Sequence, residues 1–310
     1  MSKTGSKAEI ETFALKLSVF GYVFMAILGI SFSLLTRSEA IMLDGVYSLI
    51  SFFMALIARR VAQLVEIPSS ETFHFGYAHF EPWLNAVRAL LILILCSFAL
   101  VSAVTALLHD GRPVSPGLGV LYGLGAATGC IVLAIFQRRH SRQANSPLLA
   151  VDARNWFVDG VISSGVALTF LAATLLQGTS WSHLIPYVDP VLVTVMTVLL
   201  IRIPVATFWE NLMEVLQVAP DQVFQKEIRD KVITVVADLP ALDVQVKMLK
   251  VGRFFYTMVH IVLLSDYGVE GIGDLDGIRL RIGETLRDTE YRLVLDTIFT
   301  ADEKWVVGEV

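Results

Sequence analysis

Charge is what this 310-residue chain has least of: Asp, Glu, Lys and Arg make up 17% of it, against roughly 25% in soluble domains. With 55% hydrophobic residues, that shortage excludes an ordinary soluble protein. Cysteine is nearly absent. Cys96 and Cys130 both sit in apolar runs and read as small buried side chains, not as a disulfide or redox pair. None of the six histidines falls inside the apolar core of a run. No nucleophile elbow, phosphate loop or His-Glu-x-x-His motif appears, which leaves a membrane enzyme little support. A basic excess is missing as well. The last 92 residues hold 11 of the 24 basic and 16 of the 29 acidic residues, so the whole net charge of −5 lies there and the rest is balanced. Neither part has the positive field that a nucleic-acid partner requires.

What is present is length of apolar chain. A bilayer span takes about 20 mostly apolar residues. Six segments qualify: 13–35, 39–62, 83–108, 116–136, 149–177 and 187–216. The opening MSKTGSKAEIE is polar, and the run after it is too long for a signal-peptide core and lacks a small-residue cleavage site; it reads as a retained first span. Arginines sort the connections. Arg59 and Arg60 follow span two, and Arg138, Arg139 and Arg142 follow span four, whereas the other side has only Arg37 and Arg112. The positive-inside rule then puts both termini in the cytoplasm. Asp189-Pro190 reads as the cap and first residue of span six.

Past Ala219-Pro220-Asp221 the pattern turns soluble. A helix is expected over 221–238, then two alternating runs, Val244–Val251 and Phe254–Leu264, joined at Gly252-Arg253 as a hairpin. A helix over about 274–289 follows, with Ile278, Ile282 and Leu286 on one face, and Leu293–Phe299 reads as a last strand. The fold class is therefore membrane α-helical, six spans followed by a small αββαβ, ferredoxin-like α+β domain with helices on one sheet face. Such a sheet offers a face or edge to a second copy of the chain.

Polar residues inside two spans carry the chemistry. Span two contains Asp44, Tyr47, Ser48 and Ser51; span five contains Asp152, Asn155 and Asp159. In each, polar groups recur at i, i+3 and i+7, which shares one helical face. Ser48, Ser163 and Ser164 read as polar glue between helices. Charges in hydrocarbon cost about 2.5–3.5 kcal/mol each on insertion scales, so three aspartates in matched motifs belong in the bundle interior and suggest ion binding.

Six spans, the paired motifs, the segment Phe73-His-Phe-Gly76-Tyr77-Ala-His-Phe-Glu81 before span three, Ala219-Pro220 after span six and the αββαβ tail together resemble the cation diffusion facilitator family. The resemblance implies residues 1–12 as a cytoplasmic segment, 13–216 as a transport domain and 217–310 as a cytoplasmic domain for dimerisation or regulation. It implies proton-coupled cation export by a homodimer, multi-pass in a bacterial inner membrane, with no cofactor beyond the transported ion. The family's two His/Asp-x-x-x-Asp pairs fall on Tyr47 and Ser51 in span two and on Asn155 and Asp159 in span five, so only Asp159 keeps a family-type ligand.

A phenol, a hydroxyl, an amide and one carboxylate form an oxygen-rich site. Zinc favours nitrogen and sulfur, whereas such oxygens suit a harder ion: manganese, iron(II), magnesium or a monovalent cation. Asp44 and Asp152, a turn away, are expected to support the site or carry the coupled proton. The changed positions also admit a transport-inactive member acting as a scaffold or partner subunit. Arg154 is expected to partner Asp152 or Asp44. Arg88, Arg202, Glu210 and Glu214 are expected to pair or snorkel near the cytoplasmic interface. In the tail, His260 with Asp296 is the counterpart of the family's metal-binding position, and a satisfied structural histidine is the plainer reading.

Overall fold

Six helical stretches are long and apolar enough to cross a membrane: Phe13–Thr36, Glu39–Val65, Phe80–Leu108, Pro116–Gln143, Asp152–Leu176 and Ser182–Val215. A computed structural model describes residues 3–67, 70–144, 147–268, 271–287 and 292–307. Its elements are α1 (Lys3–Thr36), α2 (Glu39–Val65), α3 (Phe80–Leu108), α4 (Pro116–Ala144), α5 (Pro147–Leu176), α6 (Ile185–Leu200), α7 (Arg202–Val215), α8 (Gln222–Val235), β1 (Ala241–Val251), β2 (Phe254–Leu263), α9 (Ile272–Leu286), β3 (Arg292–Thr300) and α10 (Lys304–Val307). They form two compact units, residues 1–60 with 87–207, and residues 61–86 with 208–310.

In the first unit α4 packs along α5 and α1. Lipid tails give no hydrophobic drive for helix pairing, so close approach through small residues supplies it. A methyl group at Gly123 would stand 2.6 Å from the Ala167 Cα, and one at Gly45 would stand 2.7 Å from the Ile30 amide nitrogen. Those contacts bring α4 against α5 and α2 against α1. Between them, Met25, Ile41, Tyr122, Ala126, Cys130, Trp156, Phe170 and Val193 form the buried core.

Span six is one helical stretch, Ser182–Val215, as expected, with a weak point near its middle. Ile201, between α6 and α7, keeps helical geometry, its amide donating to the Thr197 carbonyl at 2.8 Å and its carbonyl accepting the Val205 amide at 3.2 Å. Pro204 stands just beyond and has no N–H to return to the Leu200 carbonyl, so the ladder is weakest there. The start differs from the sequence reading. Helix α6 begins at Ile185, its first turn has no side-chain cap, and Asp189-Pro190 lies within the helix. Asp189 caps a different helix. Its carboxylate accepts the Ser38 hydroxyl at 2.5 Å and the Glu39 and Ala40 amides at 3.0 and 3.2 Å, while Ser38 Oγ accepts the Ile41 amide at 3.1 Å. The first turn of α2 is thereby satisfied from α6. Arg112 completes the cluster, 2.8 Å from Glu39 and 3.5 Å from Asp189, and it donates to Ser102 at 3.0 Å.

In the second unit the expected αββαβ order is present. Strand β1 pairs antiparallel with β2, Gln245 opposite His260, and β2 pairs parallel with β3, Phe254 opposite Arg292. The sheet order is β1-β2-β3, so β1 and β3 are its edges. Gly252, at φ +55°, makes the hairpin turn. Helices α8 and α9 cover one sheet face, where Ile228, Val232, Phe255, Val259, Ile261, Ile278 and Ile282 form the core. Asp221 caps α8 by accepting the Phe224 amide at 3.0 Å, as its position suggests. Boundaries move by a few residues: α8 ends at Val235, β1 begins at Ala241, and α9 runs Ile272–Leu286; the expected end of that helix at 288–289 lies outside the described residues. Helix α10 has no counterpart in the sequence reading. It returns to β1, where Lys247 donates to the Val306 carbonyl at 2.9 Å, and Val306 is buried.

The same unit holds an ion-pair hub on the hairpin. Arg253 binds Glu81 through two nitrogens and Glu66 at 3.0 Å, Arg292 meets Glu66 at 3.1 Å, and Glu214 accepts both Lys250 at 3.1 Å and the Gly252 amide at 2.9 Å. The Arg292 and Arg253 guanidiniums hold the Glu66 carboxyl below its usual range.

Replacing Asp189 by Ala strands the Ser38 hydroxyl and two amides in a buried turn. The expected loss is roughly 1–3 kcal/mol, read as a lower thermal midpoint of the purified protein, with Asp189→Asn intermediate.

Candidate functional site

Two of the three aspartates in the paired motifs are taken by other helices. Asp44 on α2 accepts the Tyr122 hydroxyl of α4 at 2.5 Å. Asp152 on α5 accepts the Ser18 hydroxyl of α1, and the Tyr22 hydroxyl approaches it at 3.4 Å. Ser18 is fully used, since it also accepts Trp156 Nε1 at 2.8 Å and Gln137 Nε2 at 2.6 Å. Tyr22 stacks on Trp156 with ring centroids 4.6 Å apart. Burial explains the density of partners, because an unpaired polar group away from water costs more than a hydrogen bond returns.

Asp159 differs. It lies two turns beyond Asp152 on α5, and no hydrogen bond reaches it among the described residues. Its electrostatic neighbours are Asp44, Asp152, Arg88, Tyr47, Tyr22 and Cys130. On α2, Tyr47 and Ser51 are one turn apart and interact with each other, the Asp159 charge acts on Tyr47, and Ser51 is only 3% exposed. The structure thus brings Tyr47, Ser51 and Asp159 into one neighbourhood. Asn155, one turn before Asp159, is exposed. Among the described residues, no group of three or more His, Cys, Asp or Glu converges as a metal cluster. An ion here would depend on neutral oxygens around one acid.

The arginines also depart from expectation. Arg154 is exposed, and Asp44 and Asp152 are bonded to hydroxyls instead of to it. The guanidinium at the site belongs to Arg88 on α3. It does not snorkel outward; its Nη2 lies 3.4 Å from Ser51 Oγ. Glu214 does form the expected kind of pair, with Lys250. Sequence reasoning also passed over Ser18, Tyr22 and Tyr122. The available signal was their polarity: Ser18 and Tyr22 are spaced i, i+4 on span one, and Tyr122 lies within the first two turns of span four.

Elsewhere, Tyr77 has a structural role, its ring 4.7 Å from Phe73 and 5.9 Å from Phe80 and its hydroxyl 3.2 Å from Ser70 Oγ. His260 is 5% exposed, and among the described residues neither ring nitrogen has a hydrogen-bond partner. Asp296 is exposed and pairs in register with Met258, two positions from the residue opposite His260. Burial, followed by the Lys247 charge, pushes the His260 imidazole below its ordinary 6.5.

Comparison with known proteins bears on the same helices. The family described as the cation efflux transmembrane domain matches residues 15–216. The magnetosome protein MamM of Magnetospirillum gryphiswaldense is 27% identical over 158 residues, and MamM of Paramagnetospirillum magneticum is 26% identical over 158 residues. Each alignment covers 51% of this chain and 48% of the relative. The chain spans about half the length of the curated relatives it matches.

A histidine held below its unfolded value binds fewer protons folded than unfolded. Its stability contribution is therefore intact above 6.5 and is lost as pH falls below that value. Melting curves of the tail signal should move down between pH 7 and 5.5, and His260→Gln should flatten that slope.

Proposed function

Because the chain belongs to the cation efflux family, we propose that it exports a cation in exchange for protons, through a site formed by Tyr47, Ser51, Asn155 and Asp159. Family membership supports cation transport, and a transporter instead of an enzyme. One observation carries the finer reading. Of the three acids in the paired motifs, Asp44 and Asp152 are hydrogen-bonded and Asp159 is left without a donor beside two hydroxyl-bearing side chains. A lone carboxylate that holds a cation in one state and a proton in the other couples the two flows. The oxygen donors favour manganese, iron(II), magnesium or a monovalent ion over zinc. Asp44 and Asp152, tied to Tyr122 and to Ser18, serve as supports. With the arginine-rich connections facing the cytoplasm, both termini lie there. The tail sheet, whose β1 and β3 edges lack strand partners within the described residues, pairs with a second copy.

A second reading, a transport-inactive member acting as scaffold or partner subunit, draws on the arginine beside Ser51, since a fixed positive charge disfavours a mobile one.

Proteoliposomes holding the full chain and a pH-sensitive dye separate these readings. Manganese should drive more proton flux than zinc, and Asp159→Ala should reduce it at least about tenfold, the effect of losing one charged ligand. Zinc preferred over both manganese and sodium overturns the hard-ion assignment. Flux unchanged in Asp159→Ala overturns the site.

A further inference from the structure

Arg88 stands about 12 Å into α3 by helical rise, where a charge in hydrocarbon needs a partner. An arginine this close to a helix end can lower its cost by extending toward the interface. Here the guanidinium points the other way, to Ser51 Oγ at 3.4 Å, and Ser51 is a neutral acceptor that leaves the positive charge unmatched. The negative group within its field is Asp159, and the Tyr47 hydroxyl lies on the same side. Asp44 and Asp152 have hydroxyl partners of their own. One fixed cation and one carboxylate therefore share the place where a transported ion would sit. With Arg88 seated, a divalent ion finds no net negative charge there; with Arg88 withdrawn, Asp159 is exposed to it.

We propose that Arg88 is a tethered counter-cation of the transport site, occupying the neighbourhood of Ser51, Tyr47 and Asp159 in the resting state, so that cargo binds only by displacing its guanidinium. The inference rests on the site reading above and assigns that site its specificity-determining residue. Arg88 replaces the positive charge of absent cargo, keeps the lone acid from standing unpaired in the membrane, and sets the affinity that a cation must exceed. Like charges a few Å apart repel strongly even at an effective dielectric near 20, so removing the guanidinium should be felt directly as tighter binding.

The test measures manganese binding to the purified full-length protein by equilibrium dialysis. Arg88→Gln, which keeps polarity and removes charge, should bind manganese at least about tenfold more tightly, equivalent to about 1.4 kcal/mol. Arg88→Lys should remain within a few-fold of the unaltered protein. Adding Asp159→Asn to Arg88→Gln should abolish the gain, which a merely structural role for Arg88 would not require. Affinity unchanged or weakened in a monodisperse Arg88→Gln protein, with binding still lost in Asp159→Asn alone, overturns the role of Arg88 and leaves the site standing. Binding that survives Asp159→Asn overturns the site and the Arg88 role together. If Arg88→Gln is not monodisperse, Arg88→Met decides by the same criteria.

Discussion

A carboxylate or guanidinium removed from water must find opposite charge or hydrogen-bond donors nearby, and that requirement organises the first unit. Five acidic side chains and two arginines lie in its helices and connections at points where water serves them poorly. Tyr122 serves Asp44, Ser18 and Tyr22 serve Asp152, and Ser38 with two backbone amides serves Asp189. Arg112 stands against Glu39 and Asp189. The remaining two, Asp159 and Arg88, approach one another without a direct bond, and the functional reading grows from that incompleteness.

Close helix contact makes these arrangements possible. Asp44 meets Tyr122 because α2 and α4 both lie against α1, and α2 reaches α1 through the Gly29–Gly45 crossing. A Cβ at Gly29 would stand 2.6 Å from the Gly45 Cα, too close to be accommodated, so a side chain at either glycine would force the helices apart. The apolar small-residue seams and the polar cluster are thus one design: the first sets the distances that the second requires.

The sequence showed its periodic features well. The face of Ile278, Ile282 and Leu286, the Gly252 turn and the Asp221 cap all depend on neighbours a few residues away, and local spacing reveals them. The six apolar runs are equally plain. What it hid were partnerships over long separations. Asp189 looks like a cap because it precedes Pro190, yet its partners lie about 150 residues earlier. Arg88 near a helix start resembles a snorkelling residue, and nothing local indicates that Ser51, 37 positions away, will receive it. Hydropathy ran span six through Ile201, as the structure does, but an apolar average is blind to the missing amide of Pro204 that weakens the helix there.

The Asp189 cluster also bears on movement. Its carboxylate on α6 holds the opening turn of α2, so a rearrangement that parted those two segments would strand a hydroxyl and two amides at once. A rearrangement that keeps this cap intact therefore carries the start of α2 and α6 together. Within the sixth span the helix is softest at Pro204, which has no N–H to offer the Leu200 carbonyl.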